Sequence, residues 1–362
     1  MARTEEYGLG PLTFPRGWFM IADAAHLGRV PMPLRYFGQD LVLYRGESGK
    51  PHLVEAYCPH MGTHLGINST SYVVKDGHHI QGESIRCPYH GWRFNGDGKC
   101  DDIPYSPGFI PKAACLKTFK VQERAGIIWA WHDAEGGPPD YALPAFAEWD
   151  QEDDGWVRWI IDDLGVLDSH PVELLDNMVD LGHFIPIHGS KDLDYFENEF
   201  IGHVVHQRFG AGHRTLISTG NSALLELDTW YTGPAILQSQ MQGEFPSRIL
   251  ITHTPIDDGR IHAWHALMVK VSTQRADGEG IATARAYQEA DCLSLKQDVE
   301  IWANKRPCFN PMAIPADGPF PKIRQWYKQF YNPRSEAATY HKRVDGVYVT
   351  RGTRRDPWKA SA

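Results

Sequence analysis

The chain has 362 residues, of which 42% are hydrophobic and 22% charged, with a formal net charge of −9. That length holds two domains of ordinary size, and that composition excludes a disordered chain. The acidic balance argues against a nucleic-acid binder, which needs a basic face, and no run of about twenty apolar residues is present to span a membrane. The opening "MARTEEYGLG" lacks a basic region followed by an apolar run, so it predicts a cytoplasmic location rather than export. "NST" at 68–70 then carries no glycosylation meaning. Six cysteines are too few for a disulfide scaffold, which leaves ligands or buried thiols.

In chain order, "WFMIADA", "LRYFGQDLVLYRG" and "PHLVEAYCP" read as short strands, with a hairpin turning near Gly46-Glu47 and Ser48-Gly49. "SIRCPYHGWRF" and "FKVQERAGIIWAWHD" continue the β texture to about residue 132, and "EGGPPDYALPAF" is a linker by composition. "ELLDNMVDLGHF" has helical spacing of apolar residues. "HVVHQRF", "RTLISTG", "ALLELDTWYTG", "RILITHTP" and "IHAWHALMVKV" predict strands of a larger sheet. "IATARAYQEADCLSLKQDVEIWANK" predicts a long helix and "KIRQWYKQFY" another. The pattern predicts an α+β chain: an N-terminal all-β domain over 16–135, then 136–362 with an antiparallel sheet flanked by helices, residues 1–15 packing on the latter.

Two loops offer one cysteine and one histidine each: "CPHMG" with Cys58 and His60, and "CPYHGWRFNGDG" with Cys87 and His90. Four such ligands could hold zinc. Zinc fingers, however, take cysteines from one knuckle and histidines from a helix. One thiolate and one imidazole per loop suits a Rieske [2Fe–2S] cluster, in which two cysteines hold one iron and two histidines the other. Pro59 and Pro88 stiffen the loops, Gly62, Gly66 and Gly91 permit close backbone approach, and Trp92 and Phe94 can shield the site. "NGDG" at 95–98 is a tight turn. Cys100, Cys115, Cys292 and Cys308 lack such partners and read as buried thiols.

In "LLDNMVDLGHFIPIHGS", the spacing of Asp176, Asp180 and His183 predicts one shared helix face. His188 is off that face, and Pro186 lets the chain swing it back toward His183. Two imidazoles need one carboxylate to make the 2-His-1-carboxylate arrangement of oxygen-activating non-haem Fe(II). Asp298 in "KQDVEIWANK" is the first candidate, Glu300 its competitor, and Asp176 a nearer alternative. Trp302, one turn beyond Asp298, suits an apolar pocket. Asp180 could orient an imidazole through a hydrogen bond.

With "GWFMIA", "DIPY", "WAWHDAEGGPPD", "QDVEIW" and "RQWYKQFY" added, the chain resembles, over nearly its whole length, the terminal oxygenase component of Rieske non-haem iron oxygenases. Within that family it is most similar to 3-ketosteroid 9α-hydroxylase oxygenase components. The resemblance implies that Cys58, His60, Cys87 and His90 hold the cluster and that His183, His188 and Asp298 hold mononuclear Fe(II). It also implies a bridging role for Asp180 between subunits, a place near the iron for Asn177, and a pocket wall at Trp302. A head-to-tail homotrimer is implied, served by a separate NAD(P)H-dependent flavin/iron–sulfur reductase, since no dinucleotide or flavin motif is present here. The implied activity is monooxygenation of an apolar polycyclic substrate, a 3-ketosteroid. Other chemistry of the same site (sterol desaturation, demethylation, aromatic hydroxylation) or a plain electron carrier are the alternatives. Between His60 and Cys87 lie residues 61–86, longer than is usual for the family, where "STSYVVKDGHH" predicts a β-hairpin turning at Asp76-Gly77.

Overall fold

The computed structural model describes residues 2–151, 154–212, 224–242 and 245–352. The chain forms two compact units, Trp18–Asp140 and Met1–Gly17 with Tyr141–Ala362.

The first unit is built on hairpins. Strands β1 (Gly17–Asp23), β2 (Met32–Tyr36), β3 (Gln39–Arg45) and β4 (Pro51–Glu55) are followed by a small sheet. That sheet consists of β5 (Ile80–Gln81), β6 (Ser84–Arg86), β7 (Arg93–Phe94) and β8 (Cys100–Asp102). Strands β9 (Thr118–Arg124) and β10 (Ile127–His132) return to the larger sheet, whose order is β1-β10-β9-β4-β3-β2. Val42, Tyr44, Val54, Ile85 and Phe94 pack into one apolar core with Cys58 and Cys87, so the cysteines that lead the two loops are anchored in it.

The predicted hairpin at residues 69–79 is not present. Tyr72–Lys75 form a short helix, α1, with Gly77 in the left-handed region at φ +75°. Ser71 caps the helix by accepting from Val73 N, and Asn68 Oδ1 accepts from the backbone of Thr70 and Ser71. Local side-chain capping therefore outcompetes strand pairing. The same segment is tied to both cysteine loops: Ser71 Oγ donates to Pro88 O (2.6 Å), and His79 Nε2 lies 2.7 Å from Leu65 O.

The second unit contains a nine-stranded sheet: β11 (Trp156–Val157), β12 (Asp162–Leu167), β13 (Lys191–Ile201), β14 (Val204–Gly212), β15 (Leu224–Thr232), β16 (Ile236–Gln242), β17 (Ser247–Asp257), β18 (Arg260–Lys270) and β19 (Gly346–Arg351). Its order is β11-β18-β17-β16-β15-β14-β13-β19, and β12 also pairs with β18. All the pairings given for it are antiparallel. The predicted strand "RTLISTG" lies outside the described residues. Helices α2 (Pro171–Asp176), α3 (Gly278–Asn304), α4 (Phe320–Tyr327) and α5 (Ala337–His341) complete the unit.

The chain start belongs to this core. Leu9 is buried among Val172, Trp326, Phe330 and Tyr331, while Leu12 N donates to Tyr331 O (3.1 Å) and Arg16 N to Phe330 O (2.8 Å). A Cβ on Gly10 would lie 2.2 Å from Tyr331 O, so only glycine allows this approach. Among the cysteines outside the two loops, Cys292 is buried, Cys100 and Cys308 are half-buried, and Cys115 is exposed, its Sγ turned to Lys112 O.

Candidate metal centres

The two loops of the first unit follow one backbone plan. Gly62 N donates to Cys58 O (2.9 Å) and Gly91 N to Cys87 O (3.1 Å); Cys58 N donates to Thr63 O (2.9 Å) and Cys87 N to Trp92 O (2.7 Å). Gly62 and Gly91 close the loops at φ +70° and +74°, where a side chain is costly. This closure aims the backbone N–H groups of His60 and Met61 at the Cys58 sulfur, and those of Tyr89 and His90 at Cys87.

The two thiols hydrogen-bond each other. That bond pushes Cys87 down to about 6 and raises Cys58, which burial raises further. The imidazoles of His60 and His90 lie side by side with centroids 4.6 Å apart. Trp92 stacks on His60 at 4.4 Å and 8°, and its Nε1 donates to Tyr105 Oη (2.8 Å). His90 Nδ1 is buried without a hydrogen-bond partner. Among the described residues, three or more ligand atoms come within 4.8 Å of one another at two places, and neither includes these four residues. They are too spread for one zinc ion. A sulfur pair and an imidazole pair, with one orphaned nitrogen, fit a cluster of two irons.

The second centre draws on two distant segments. Helix α2 ends at Asp176, and short 3₁₀ turns follow over Asn177–Val179 and Gly182–Phe184, with Asp180 extended between them. Asp176, Asp180 and His183 therefore do not share one helix face. The break is stabilised locally, because Asp180 Oδ1 accepts from Gly182 N (2.8 Å) and Leu181 N turns to Asp317 O (2.7 Å). Beyond it, Ile187 N donates to His183 O and Ser190 N to Phe184 O, bringing His188 to 5.2 Å from His183 between ring centroids.

From α3, Asp298 Oδ2 reaches to 3.2 Å from His188 Nε2, and ligand atoms of His183, His188 and Asp298 all lie within 4.8 Å of one another. Glu300 is exposed. Asp176 is held by Arg324 at 2.5 and 3.0 Å. His183 Nδ1 is buried, 3.5 Å from Asp180 Oδ2, without a well-formed hydrogen bond. Burial disfavours charge on His188, but its hydrogen bond to Asp298 and the attraction of that carboxylate outweigh this and hold its pKa above the usual value. Two imidazoles and one buried carboxylate, with an orphaned ring nitrogen, fit non-haem iron.

Asn177 opens the turn after α2. Trp302 packs with Leu174, Ile261 and Leu295 one helical turn from Asp298. The sequence gives no notice of Ser294 and Gln297, which approach His188 Nδ1 at 3.2 and 3.4 Å. Serine and glutamine on a long polar helix carry no distinguishing pattern; only Ser294's place, three residues before Gln297 and four before Asp298, marks them.

A second ligand-type group, Asp162, His265 and Cys292, is built differently. His265 gives Nδ1 to Asp162 and Nε2 to Asp291, both at 2.8 Å, and Gln288 Nε2 donates to the same Asp162 oxygen (2.8 Å). Each of these polar groups already has a partner, so the cluster is a charged clamp rather than a vacant ligand set.

A cluster-type loop pair in one unit and a two-histidine, one-carboxylate site in the other define an oxygenase of the Rieske class, carrying a [2Fe–2S] cluster and a mononuclear iron. Residues 17–120 match the Rieske [2Fe-2S] domain, and residues 130–331 match the 3-ketosteroid 9alpha-hydroxylase C-terminal domain. A 3-ketosteroid-9-alpha-monooxygenase oxygenase component of Rhodococcus rhodochrous is 34% identical over 335 residues, covering 89% of this chain and 82% of the relative. Cholesterol 7-desaturase of Xenopus laevis is 27% identical, covering 91% and 74%. The solved structure of the Pseudomonas putida NdmA QL mutant with theobromine has the same fold, with TM-score 0.69 and 16% identity over 98% of this chain and 99% of that one. The chain belongs to the 3-ketosteroid 9α-hydroxylase oxygenase family.

Proposed function

We propose that this chain is the terminal oxygenase of a multicomponent monooxygenase that hydroxylates an apolar polycyclic substrate, a 3-ketosteroid at its 9α position. The convergence of His183, His188 and Asp298 in a chain that also carries the Cys58/His60 and Cys87/His90 loops supports this most directly. When bound, the cluster supplies single electrons and the mononuclear iron supplies dioxygen activation.

The protein's own residues set the conditions. Cys58, Cys87, His60 and His90 would hold the [2Fe–2S] cluster. His183, His188 and Asp298 would hold the mononuclear iron. Asp180, partly exposed with its carboxylate facing His183, joins the two kinds of centre across a subunit boundary in a homotrimer. Asn177 lines the approach to the iron, and Trp302 backs an apolar substrate wall. A separate NAD(P)H-dependent flavin/iron–sulfur reductase supplies the electrons, in the cytoplasm.

The test combines the purified chain with such a reductase, NADH and a panel of 3-ketosteroids, sterols and aromatic acids, with products read by mass spectrometry. A 3-ketosteroid should gain one oxygen atom. Loss of two hydrogens from a sterol would instead favour desaturation, the activity named for the Xenopus relative. Turnover of flat aromatics alone would refute the steroid assignment.

A further inference from the structure

Helix α3 does more than deliver a carboxylate. Ser294, Gln297 and Asp298 fall on one helix face, and together they address both nitrogens of a single imidazole. Asp298 Oδ2 lies 3.2 Å from His188 Nε2. On the other side of the ring, Gln297 Oε1 lies 3.4 Å and Ser294 Oγ 3.2 Å from Nδ1. A neutral imidazole has one N–H donor and one lone-pair acceptor, and a neighbour that can only accept fixes which is which. An amide oxygen can only accept. The Asp298 carboxylate also only accepts, so without a metal each ring nitrogen faces an acceptor; once a metal takes the Nε2 lone pair, the ring proton has to sit on Nδ1, where Gln297 Oε1 can receive it.

We infer that Gln297, assisted by Ser294, is a positioning residue that holds His188 in its Nδ1-protonated form and so presents Nε2 to the metal. This rests on the assignment of His183, His188 and Asp298 as the iron ligands. The other tautomer would set an N–H against the metal, and a ring without partners at Nδ1 could also rotate. His183 has a different neighbour, the Asp180 carboxylate 3.5 Å from its Nδ1, so Gln297 and Ser294 address one histidine only.

The test uses the whole chain with its cluster intact and its mononuclear iron removed by chelation, then titrated with Fe(II) under anaerobic conditions. Gln297→Met keeps the length but has no accepting oxygen. Gln297→Glu keeps a stronger acceptor. Gln297→Met should bind Fe(II) about 10–100-fold more weakly, the usual effect of losing a partner behind a metal-bound histidine. Adding Ser294→Ala should weaken it further. Gln297→Glu should retain the affinity. The electron-paramagnetic-resonance signal of the nitric-oxide-treated ferrous site should change rhombicity in Gln297→Met alone, while the reduced cluster's signal stays constant in every variant.

Wild-type affinity and signal in the Gln297→Met, Ser294→Ala double variant would overturn the inference. So would a Gln297→Glu variant that fails as badly as Gln297→Met, since that would mark a purely steric role. His183→Ala separates the underlying assignment: if it binds Fe(II) as tightly as the wild type, the ligand set itself is wrong and the inference falls with it.

Discussion

At the residue scale, the chemistry rests on groups that burial would otherwise make costly. Asp298 is buried, and its nearest compensation is the imidazole of His188. Replacing Asp298 with Ala leaves two neutral ligands. The loaded chain should then lose its mononuclear iron while keeping the cluster pair, read as iron and sulfide per chain with an unchanged cluster signal. Loss of all iron would mean that the two centres are not independent. Replacing Cys87 with Ser removes the thiol that loop closure and its hydrogen bond with Cys58 hold at about 6. That variant should be colourless, because the cluster loses one of its two cysteine ligands.

At the element scale, α1 and α3 act as braces. α1 holds both cluster loops through Ser71 to Pro88 O and His79 to Leu65 O. Burial lowers the His79 pKa, against an opposing pull from its hydrogen bond to the Leu65 carbonyl. Ser71→Asp retains an N-cap acceptor but sets a carboxylate against the Pro88 carbonyl. The cluster's midpoint potential should shift, as followed by a redox titration. An unchanged potential would show that α1 is not coupled to the loops.

For α3, the clamp is the imidazolium of His265, fully buried between Asp162 and Asp291. Burial alone would lower its pKa, but the hydrogen bonds to Asp162, Asp291 and Cys292 carry it well above the ordinary value. A group whose pKa rises on folding stabilises the fold fully below its unfolded value, about 6.5, and loses that contribution as pH climbs through the folded value. The melting-temperature gap between the wild type and His265→Gln should therefore be widest near pH 6 and narrow steadily toward alkaline pH. A constant gap would assign His265 a packing role only.

At the scale of the whole molecule, the first seventeen residues fold with the C-terminal portion and not with the strands that follow them. Leu9 is 1% exposed, so Leu9→Ala should cost about 2–5 kcal/mol in the second unit, measured by denaturant unfolding, without altering the cluster spectrum. A change in the cluster spectrum would contradict the assignment of this segment to that unit.

How much of this was written in the chain depends on distance along it. The loops at Cys58 and Cys87 were legible because ligand, proline and glycine lie within a few residues, and a closed turn follows from φ alone. The strands from Trp18 to Glu55 and helix α3 were legible through periodicity. Strand β13 was not, since its exposed Lys191, Asp192 and Asp194 look like loop, while Tyr195, Phe196 and Phe200 are buried only because β14 and β19 flank it. The break at Asp180 was hidden as well, because a side-chain turn and the Asp317 carbonyl overrule good helical spacing. By itself, the sequence marked the two cysteine–histidine loops and the paired histidines as candidate ligands and pointed to the class of iron chemistry, all through short-range patterns. Only the tertiary structure shows Asp298, the sequence's first candidate, facing those histidines while Glu300 is exposed and Asp176 is held by Arg324, and Ser294 and Gln297 standing behind one of them. Which face of α3 is buried, and against what, is fixed by packing on β18 and by the His265 clamp, not by any residue's neighbours in the chain.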